Sequence, residues 1–348
     1  MRPSTPLSLP ARRRAWRPLL LAGALLGAAL AHGHPPAQAG TLCASTATQP
    51  PPGQALRLAQ LALREHAAWG GAQIDAQGRL TDAGSVEAGM PPGPSRTPAP
   101  WQRVLGYWSA VPAGAGPYPS QIHVGALRPA DRPLLEQALS QASDARLAGL
   151  GVGPDQGLAS HEQQAVRVAL ARVAVIDTPW SAAFISWLAR EAGLDAPRFA
   201  FSEAHADYAA AAWAAGQAEA QGLPSPYALR TCDLTRTTPR VGDLVCQARG
   251  RNAGLDDHEA LTEALQQRLA TGRVLAMHCD VVTQVDAQGF DALGGNVLDT
   301  VMRRRLDFAP GTRLLDASYR PGTCEPGTAG CPRRHLSHQP WSLLLQWR

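Results

Sequence analysis

Ser181 stands at the head of a helix that the sequence marks at both ends. In Asp177-Thr178-Pro179-Trp180-Ser181, Thr178 suits the N-cap and Pro179 the first helical position. Phe184, Ile185, Leu188 and Ala192 then form one apolar stripe, and Gly193 ends the helix. Backbone N–H groups of a first turn are not all paired within the helix, and they favour negative charge. A hydroxyl there can act as a nucleophile whose oxyanion the same amides hold. A plain capping serine fits the position too, so the chemistry depends on a base nearby.

His278 is the first candidate base. Leu275 to Val285 alternates as a strand, with Cys279, Val281 and Val285 on one face and His278, Asp280 and Val282 on the other. An imidazole on a rigid strand can present one nitrogen to a nucleophile while an acceptor orients the other. Asn296, in Gly294-Gly295-Asn296 of the return strand, and Asp280 are the alternatives for that orienting role. Spacing alone fits a structural histidine and a turn-forming asparagine better. Four further residues suit substrate contact. His205 and Tyr208 share a helix face at i, i+3, although Ser202 capping a solvated acidic turn explains that segment as well. Arg249 can take a substrate carboxylate in bidentate fashion or close a structural ion pair. Trp180 can wall a cleft or lie in the core.

The chain that must position these groups has 348 residues, room for about two domains or one elaborated domain. Apolar residues make up 45%, enough for a substantial core, and a mean hydropathy of −0.16 excludes a multi-span membrane protein. Lysine is absent, so all 32 basic residues are Arg. Residues 1–39 hold five of them and no acid; the other 27 face 28 acidic residues, a net charge of −1 that lacks the basic excess of a nucleic-acid binder. Arg12-Arg13-Arg14, the apolar stretch Leu19 to Leu30 and Ala37-Gln38-Ala39 make the three parts of a cleaved export signal over residues 1–39. A membrane anchor is the competing reading, but the apolar run is short of the ~20 residues that span a bilayer. The expectation is therefore a periplasmic or secreted chain with no stable membrane insertion once the signal is removed.

All six Cys lie beyond that signal, at 43, 232, 246, 279, 324 and 331, and an even number in an exported chain implies disulfides. Cys324 and Cys331 enclose a Gly/Pro-rich loop and form the most plausible local pair. No C-x-x-C or H-x-x-x-H spacing appears, so neither a metal nor a cofactor is expected. Residues 40–54 read as a loose leader. Residues 55–69 place Leu56, Ala59, Leu63 and Ala67 at helical spacing, and Trp101, Val104, Leu105 and Trp108 do the same before a Pro/Gly break at 112–120. Further helices are expected over 130–150, from Ser160, over 203–220 and over 256–270. Strands follow at Val241–Cys246, Leu275–Val285 and Phe290–Val297, the last two joined by the turn Asp286-Ala287-Gln288-Gly289. Helices first and antiparallel strands later is an α+β order.

Four of these elements, in this order, resemble the CHAP and NlpC-type peptidoglycan hydrolases. Pro179-Trp180-Ser181-Ala182-Ala183-Phe184-Ile185 is similar to their nucleophile helix, P-W-C-A-x-F-V. Val241-Gly242-Asp243-Leu244-Val245 resembles their strand entry, His278-Cys279-Asp280-Val281-Val282 their histidine strand, and Gly294-Gly295-Asn296 the element that follows. A narrower resemblance, to the bacterial family called domain of unknown function 2272, extends to Trp101-Gln102-Arg103-Val104, Tyr107-Trp108, Ser202 through Tyr208 and Cys246 through Arg249. The resemblance implies a papain-like core: a nucleophile helix packed on an antiparallel sheet over residues 151–306, after a helical extension at 55–150 and before a C-terminal tail at 307–348. It implies an amide hydrolase acting on peptidoglycan or a related peptide, with Ser181, His278 and Asn296 or Asp280 in the catalytic roles.

The wider clan carries Cys where this chain has Ser181. A thiol of reference pKa about 8.5 ionises beside a histidine and a helix terminus, whereas a serine hydroxyl stays protonated until a base removes its proton during attack. The site is thus either a working serine hydrolase or a cell-wall or peptide-binding cleft of the same fold without turnover. An ester-directed acyl transferase is a third reading. Cys246 or Cys279 as a displaced nucleophile is disfavoured, because export commits both to disulfides and Cys279 faces away from His278 on a regular strand.

Overall fold

The computed structural model describes residues 39–90, 98–112, 175–322 and 333–348. The expected signal, the helices over 130–150 and from Ser160, and the Cys324/Cys331 pair lie outside these residues. Among them are six α-helices and an eight-stranded, mostly antiparallel sheet, so the class is α+β.

The helices are α1 (Ala39–Ala47), α2 (Gly53–Ala68), α3 (Pro100–Trp108), α4 (Ser181–Glu191), α5 (His205–Ala220) and α6 (His258–Thr271). The strands are β1 (Gln73–Ile74), β2 (Leu80–Asp82), β3 (Leu229–Asp233), β4 (Leu244–Ala248), β5 (Met277–Val285), β6 (Gly289–Val297), β7 (Thr300–Asp307) and β8 (Trp341–Trp347). They lie in the order β2-β1-β7-β6-β5-β4-β8-β3, with only β1 and β7 parallel.

Local chemistry explains several boundaries. Asp257 caps α6 by accepting from Ala260 N–H at 2.8 Å, and Gly272 ends it in the left-handed conformation at φ 69°. In the turn between β5 and β6, Asp286 Oδ1 accepts from Gln288 and Gly289 N–H at 2.8 and 2.9 Å. Arg305 grips the same carboxylate with both terminal nitrogens and holds Asp286 well below the ordinary carboxylate range. Gly242 brings β4 against α2: a Cβ there would lie 2.4 Å from the Ala55 carbonyl oxygen. Asp243 beside it is wholly buried and accepts from Arg240 and Trp347 N–H at 2.8 and 2.9 Å, while burial raises its pKa to about 6. The Gly242-Asp243 pair is therefore a structural joint between α2, β4 and the end of β8.

The structure departs from the sequence reading in three places. Residues 40–54 are not a loose leader: α1 occupies 39–47, and Cys43 is bonded to Cys232 on β3. In α2 the buried residues are Ala55, Leu58, Ala59, Leu61, Ala62 and His66, whereas Leu56 and Leu63 are exposed. The small Ala55 allows the close approach to Gly242 that a leucine at that position would block. The segment 307–348 is not simply a tail. Trp341–Trp347 is buried along its whole length between β4 and β3, as befits a central strand, with Ser342 and Gln346 among its buried side chains.

The Cys43–Cys232 bridge joins residues 189 apart in sequence and is the covalent hold on α1. Replacing both cysteines by Ser is expected to cost about 2–5 kcal/mol of unfolding free energy. Urea denaturation under non-reducing conditions measures this, and an unchanged midpoint would show that α1 is held by packing alone.

Candidate functional site

Ser181 is the first residue of α4, two positions after the proline that precedes it. The helix starts later than the Thr178/Pro179 signal suggests, a shift that puts the hydroxyl at its very head. The first helical bond runs from Phe184 N–H to the Trp180 carbonyl at 2.9 Å. The amides of Ser181, Ala182 and Ala183 lie before it and find no backbone acceptor among the described residues. Trp180 does not wall a cleft. It is fully buried, stacked on Trp69 with centroids 5.3 Å apart and tilted against Tyr107 at 5.8 Å. Aromatic packing from α2 and α3 thus fixes the head of α4.

The partner of Ser181 is His205. Ser181 Oγ lies 2.7 Å from His205 Nε2, and the two residues are 2% and 4% exposed. His205 opens α5, and its Nδ1 is hydrogen-bonded to the Tyr208 hydroxyl one turn on. The sequence reading gives both residues to substrate contact; here they form a relay behind the serine hydroxyl. Tyr208 is itself fully buried against Phe199, with centroids 5.1 Å apart, and its backbone carbonyl accepts from Tyr227 Oη at 3.0 Å. Burial pushes the His205 pKa well below 6.5, with His278 and Arg249 adding to the effect, so the ring is neutral at neutral pH. Burial likewise holds Tyr208 well above 10, so its hydroxyl stays protonated.

No hydrogen bond among the described residues joins Ser181 to His278. Its Nε2 is 2.7 Å from Asp280 Oδ1, and Asp280 Oδ2 pairs with Arg304 on β7. Strand alternation puts His278 and Asp280 on one side of β5, and Asp280, anchored by Arg304, occupies the His278 Nε2. The Arg304 guanidinium lies 5.4 Å from the Trp341 ring centroid. The His278 ring nevertheless comes within 5.2 Å of His205, centroid to centroid and edge-on. Burial acts to raise the Asp280 carboxyl, but Arg304 and His278 together outweigh it and hold it below the ordinary range. Asn296 takes a left-handed conformation, φ 57°, in the irregular end of β6, and no hydrogen bond among the described residues joins its amide to His278. Asp280 therefore occupies the orienting position for which it and Asn296 were the alternatives.

The two glycines before Asn296 are steric requirements. A Cβ on Gly294 would lie 2.0 Å from Asp280 Oδ1 and 3.0 Å from His278 Nε2, and one on Gly295 would lie 2.8 Å from the Phe184 ring. Gly294→Ala is expected to cost about 3 kcal/mol through overpacking and displacement of the buried pair. Gly254→Ala, where a Cβ meets nothing within 4 Å, serves as control and should change stability by less than about 0.5 kcal/mol. Equal thermal shifts for the two variants would reject the steric account.

Arg304 was missed by sequence reasoning, although a signal existed. In Thr300–Asp307 it falls between Met302 and Leu306 on the buried face, while Arg303 and Arg305 are half-exposed beside Asp291. An arginine on an apolar face needs an acid partner. Cys246 and Cys279, directly paired across β4 and β5, are joined by a disulfide, so neither serves as a nucleophile. Two disulfides place the chain in an oxidising compartment outside the cytoplasm, and no helix among the described residues is long and apolar enough to cross a membrane. No group of three or more His, Cys, Asp or Glu among the described residues is arranged to hold a metal.

The arrangement offers a buried hydroxyl at a helix head, hydrogen-bonded to a neutral imidazole that a phenol orients, with a histidine–carboxylate–guanidinium chain alongside. No curated protein and no solved structure matches the chain. A family model does, over residues 149–346, a span that runs from before α4 to within β8, and the chain belongs to that family, described as an uncharacterized protein conserved in bacteria, DUF2272.

Proposed function

We propose that the chain is an exported hydrolase of papain-like type that cleaves an amide bond in peptidoglycan peptide or a related peptide. Ser181 is its nucleophile, and His205, in place of His278, is its base. The observation that carries this reading is the 2.7 Å contact between Ser181 Oγ and His205 Nε2 at the head of α4. For Nε2 to accept from the serine, the imidazole proton must sit on Nδ1 and be donated to the Tyr208 oxygen. As Oγ attacks the carbonyl carbon, its proton passes to His205 Nε2 and an Oγ–C bond forms. The first-turn amides stand where the oxyanion develops. The imidazolium then gives that proton to the leaving nitrogen, the C–N bond breaks, and an acyl-serine remains. Water repeats the sequence: one proton goes to His205, the hydroxide adds to the acyl carbon, and the proton returns to Oγ as the acid leaves.

One observation favours a binding role without turnover. Tyr208 can donate as well as accept, and with its proton on His205 Nδ1 the opposite tautomer leaves Nε2 protonated and unable to activate the serine. A carboxylate in that position would exclude this state. Mass spectrometry of muropeptides incubated with the chain separates the readings. New fragments released by the chain and absent with S181A are expected; muropeptides bound but left intact would establish the binding role instead.

A further inference from the structure

β4 brings two unsatisfied polar side chains to the same site. Gln247 pairs directly with His278 across the ladder, so the two side chains project from the same side of the sheet. Gln247 is nearly buried, and its amide oxygen has no partner among the described residues. Arg249 follows two residues on with extended dihedrals, φ −142° and ψ 170°, so the alternation carries its side chain to that side as well. Its backbone N–H bonds the Ala276 carbonyl at 3.0 Å, which extends the β4–β5 pairing past His278. Arg249 is exposed, and its guanidinium makes no ion pair or hydrogen bond among the described residues. Most other arginines near the sheet are committed: Arg230 to Glu219, Arg240 to Asp243, Arg268 to Asp207, Arg304 to Asp280 and Arg305 to Asp286. Its charge also lowers the His205 pKa, which agrees with its lying on the side of the serine–histidine pair.

We infer that Gln247 and Arg249 form a subsite for a peptide residue bearing a free carboxylate, so that the substrate class is an acidic peptide. Arg249 takes the carboxylate through two parallel N–H···O bonds, and the Gln247 amide oxygen accepts an N–H of the same peptide. A buried acceptor left open costs less once an N–H fills it, and an arginine without a partner offers the matching fork. This inference rests on the hydrolase reading for its location, although binding is measurable without turnover.

The test uses the full chain carrying S181A, titrated calorimetrically with Ala-Ala-Glu and with two analogues, one amidated at the C-terminus and one with Gln replacing Glu. Adding R249A is expected to weaken binding of Ala-Ala-Glu by about 10- to 100-fold, the range of a hydrogen bond to a charged group. It should leave unchanged the analogue that lacks the recognised carboxylate, and this identifies whether the α- or the side-chain carboxylate is held. R249K should recover only part of the loss, because ammonium lacks the fork. Equal affinity of S181A and S181A/R249A for each of the three peptides, or no binding of any of them, overturns the subsite. Arg249-dependent binding together with muropeptides that stay intact upholds the subsite and rejects the hydrolase reading; cleavage at equal rates by the R249A variant and the parent chain does the reverse.

Discussion

Ser181→Ala and His205→Ala are each expected to lower kcat/KM on a cleaved peptide by about a thousandfold or more, while His278→Ala stays within about tenfold of the parent. The asymmetry follows from the contacts. His205 Nε2 is on the serine oxygen, whereas His278 Nε2 is on Asp280. Removing His205 takes away the only nitrogen among the described residues hydrogen-bonded to the nucleophile. Removing His278 leaves the Ser181–His205 pair in place and Asp280 still paired with Arg304. The resemblance to cell-wall hydrolases implies the opposite ranking, with His278 essential. A loss of about a thousandfold in H278A with a modest loss in H205A would therefore overturn the assignment. The pH profile gives a second reading. The base works when neutral, and burial holds its pKa well below 6.5. Activity should persist as the pH falls through 6.5 and decline only at lower values; an acid limb centred at or above 6.5 would point to a different base. A base of low pKa has little drive to accept a proton, and no carboxylate steadies the imidazolium, so turnover is expected to be slow even in the parent chain.

The second large effect is on stability. Arg304→Met should cost about 3–5 kcal/mol, because it takes the guanidinium away from the fully buried Asp280 carboxylate and leaves that group, among the described residues, with the His278 hydrogen bond alone. The pH dependence gives the loss a signature. In the parent chain Asp280 is held below the ordinary carboxylate range, so its contribution is present above about pH 4 and disappears as the pH falls through the lower folded value. Without Arg304, burial is the dominant influence and the carboxyl rises, so the variant becomes less stable as the pH climbs past about 4. The gap between the two proteins in urea denaturation should therefore be small near about pH 3 and widest at neutral pH. A gap of constant size would mean that lost packing against Trp341, and not charge, sets the cost. The double variant R304M/D280N removes both charges and is expected to recover part of the loss.

Much of the local structure was legible because it depends on neighbours in sequence. The apolar stripe of α4, its glycine stop, the Asp286–Gly289 turn and the two long strands β5 and β6 all follow from spacing and turn chemistry. The Gly294-Gly295-Asn296 element was recognised, although its meaning changed: its glycines make room for Asp280 and Phe184, and its asparagine does not orient the histidine. The buried face of α2 and the central place of β8 were not legible, because each is decided by a partner far away along the chain. Ala55 faces inward because Gly242 lies opposite it, and Trp341–Trp347 is a strand because β4 and β3 flank it.

The same division runs through the site. From sequence alone it follows that Ser181 lies in the first turn of a helix, that His278 and Asp280 share a strand side, that His205 and Tyr208 share a helix face, and that the cysteines suit an oxidising compartment. These are consequences of the ~3.6-residue and ~2-residue periods and of cysteine chemistry. Which imidazole meets the hydroxyl depends instead on how distant elements pack. Periodicity fixes the side of an element from which a group projects, but the distance between two elements is set by the packing of the core between them. Here the aromatic stack of Trp69, Tyr107 and Trp180 sets the head of α4, and the alternation of β5 turns His278 toward Asp280 and leaves the serine to His205.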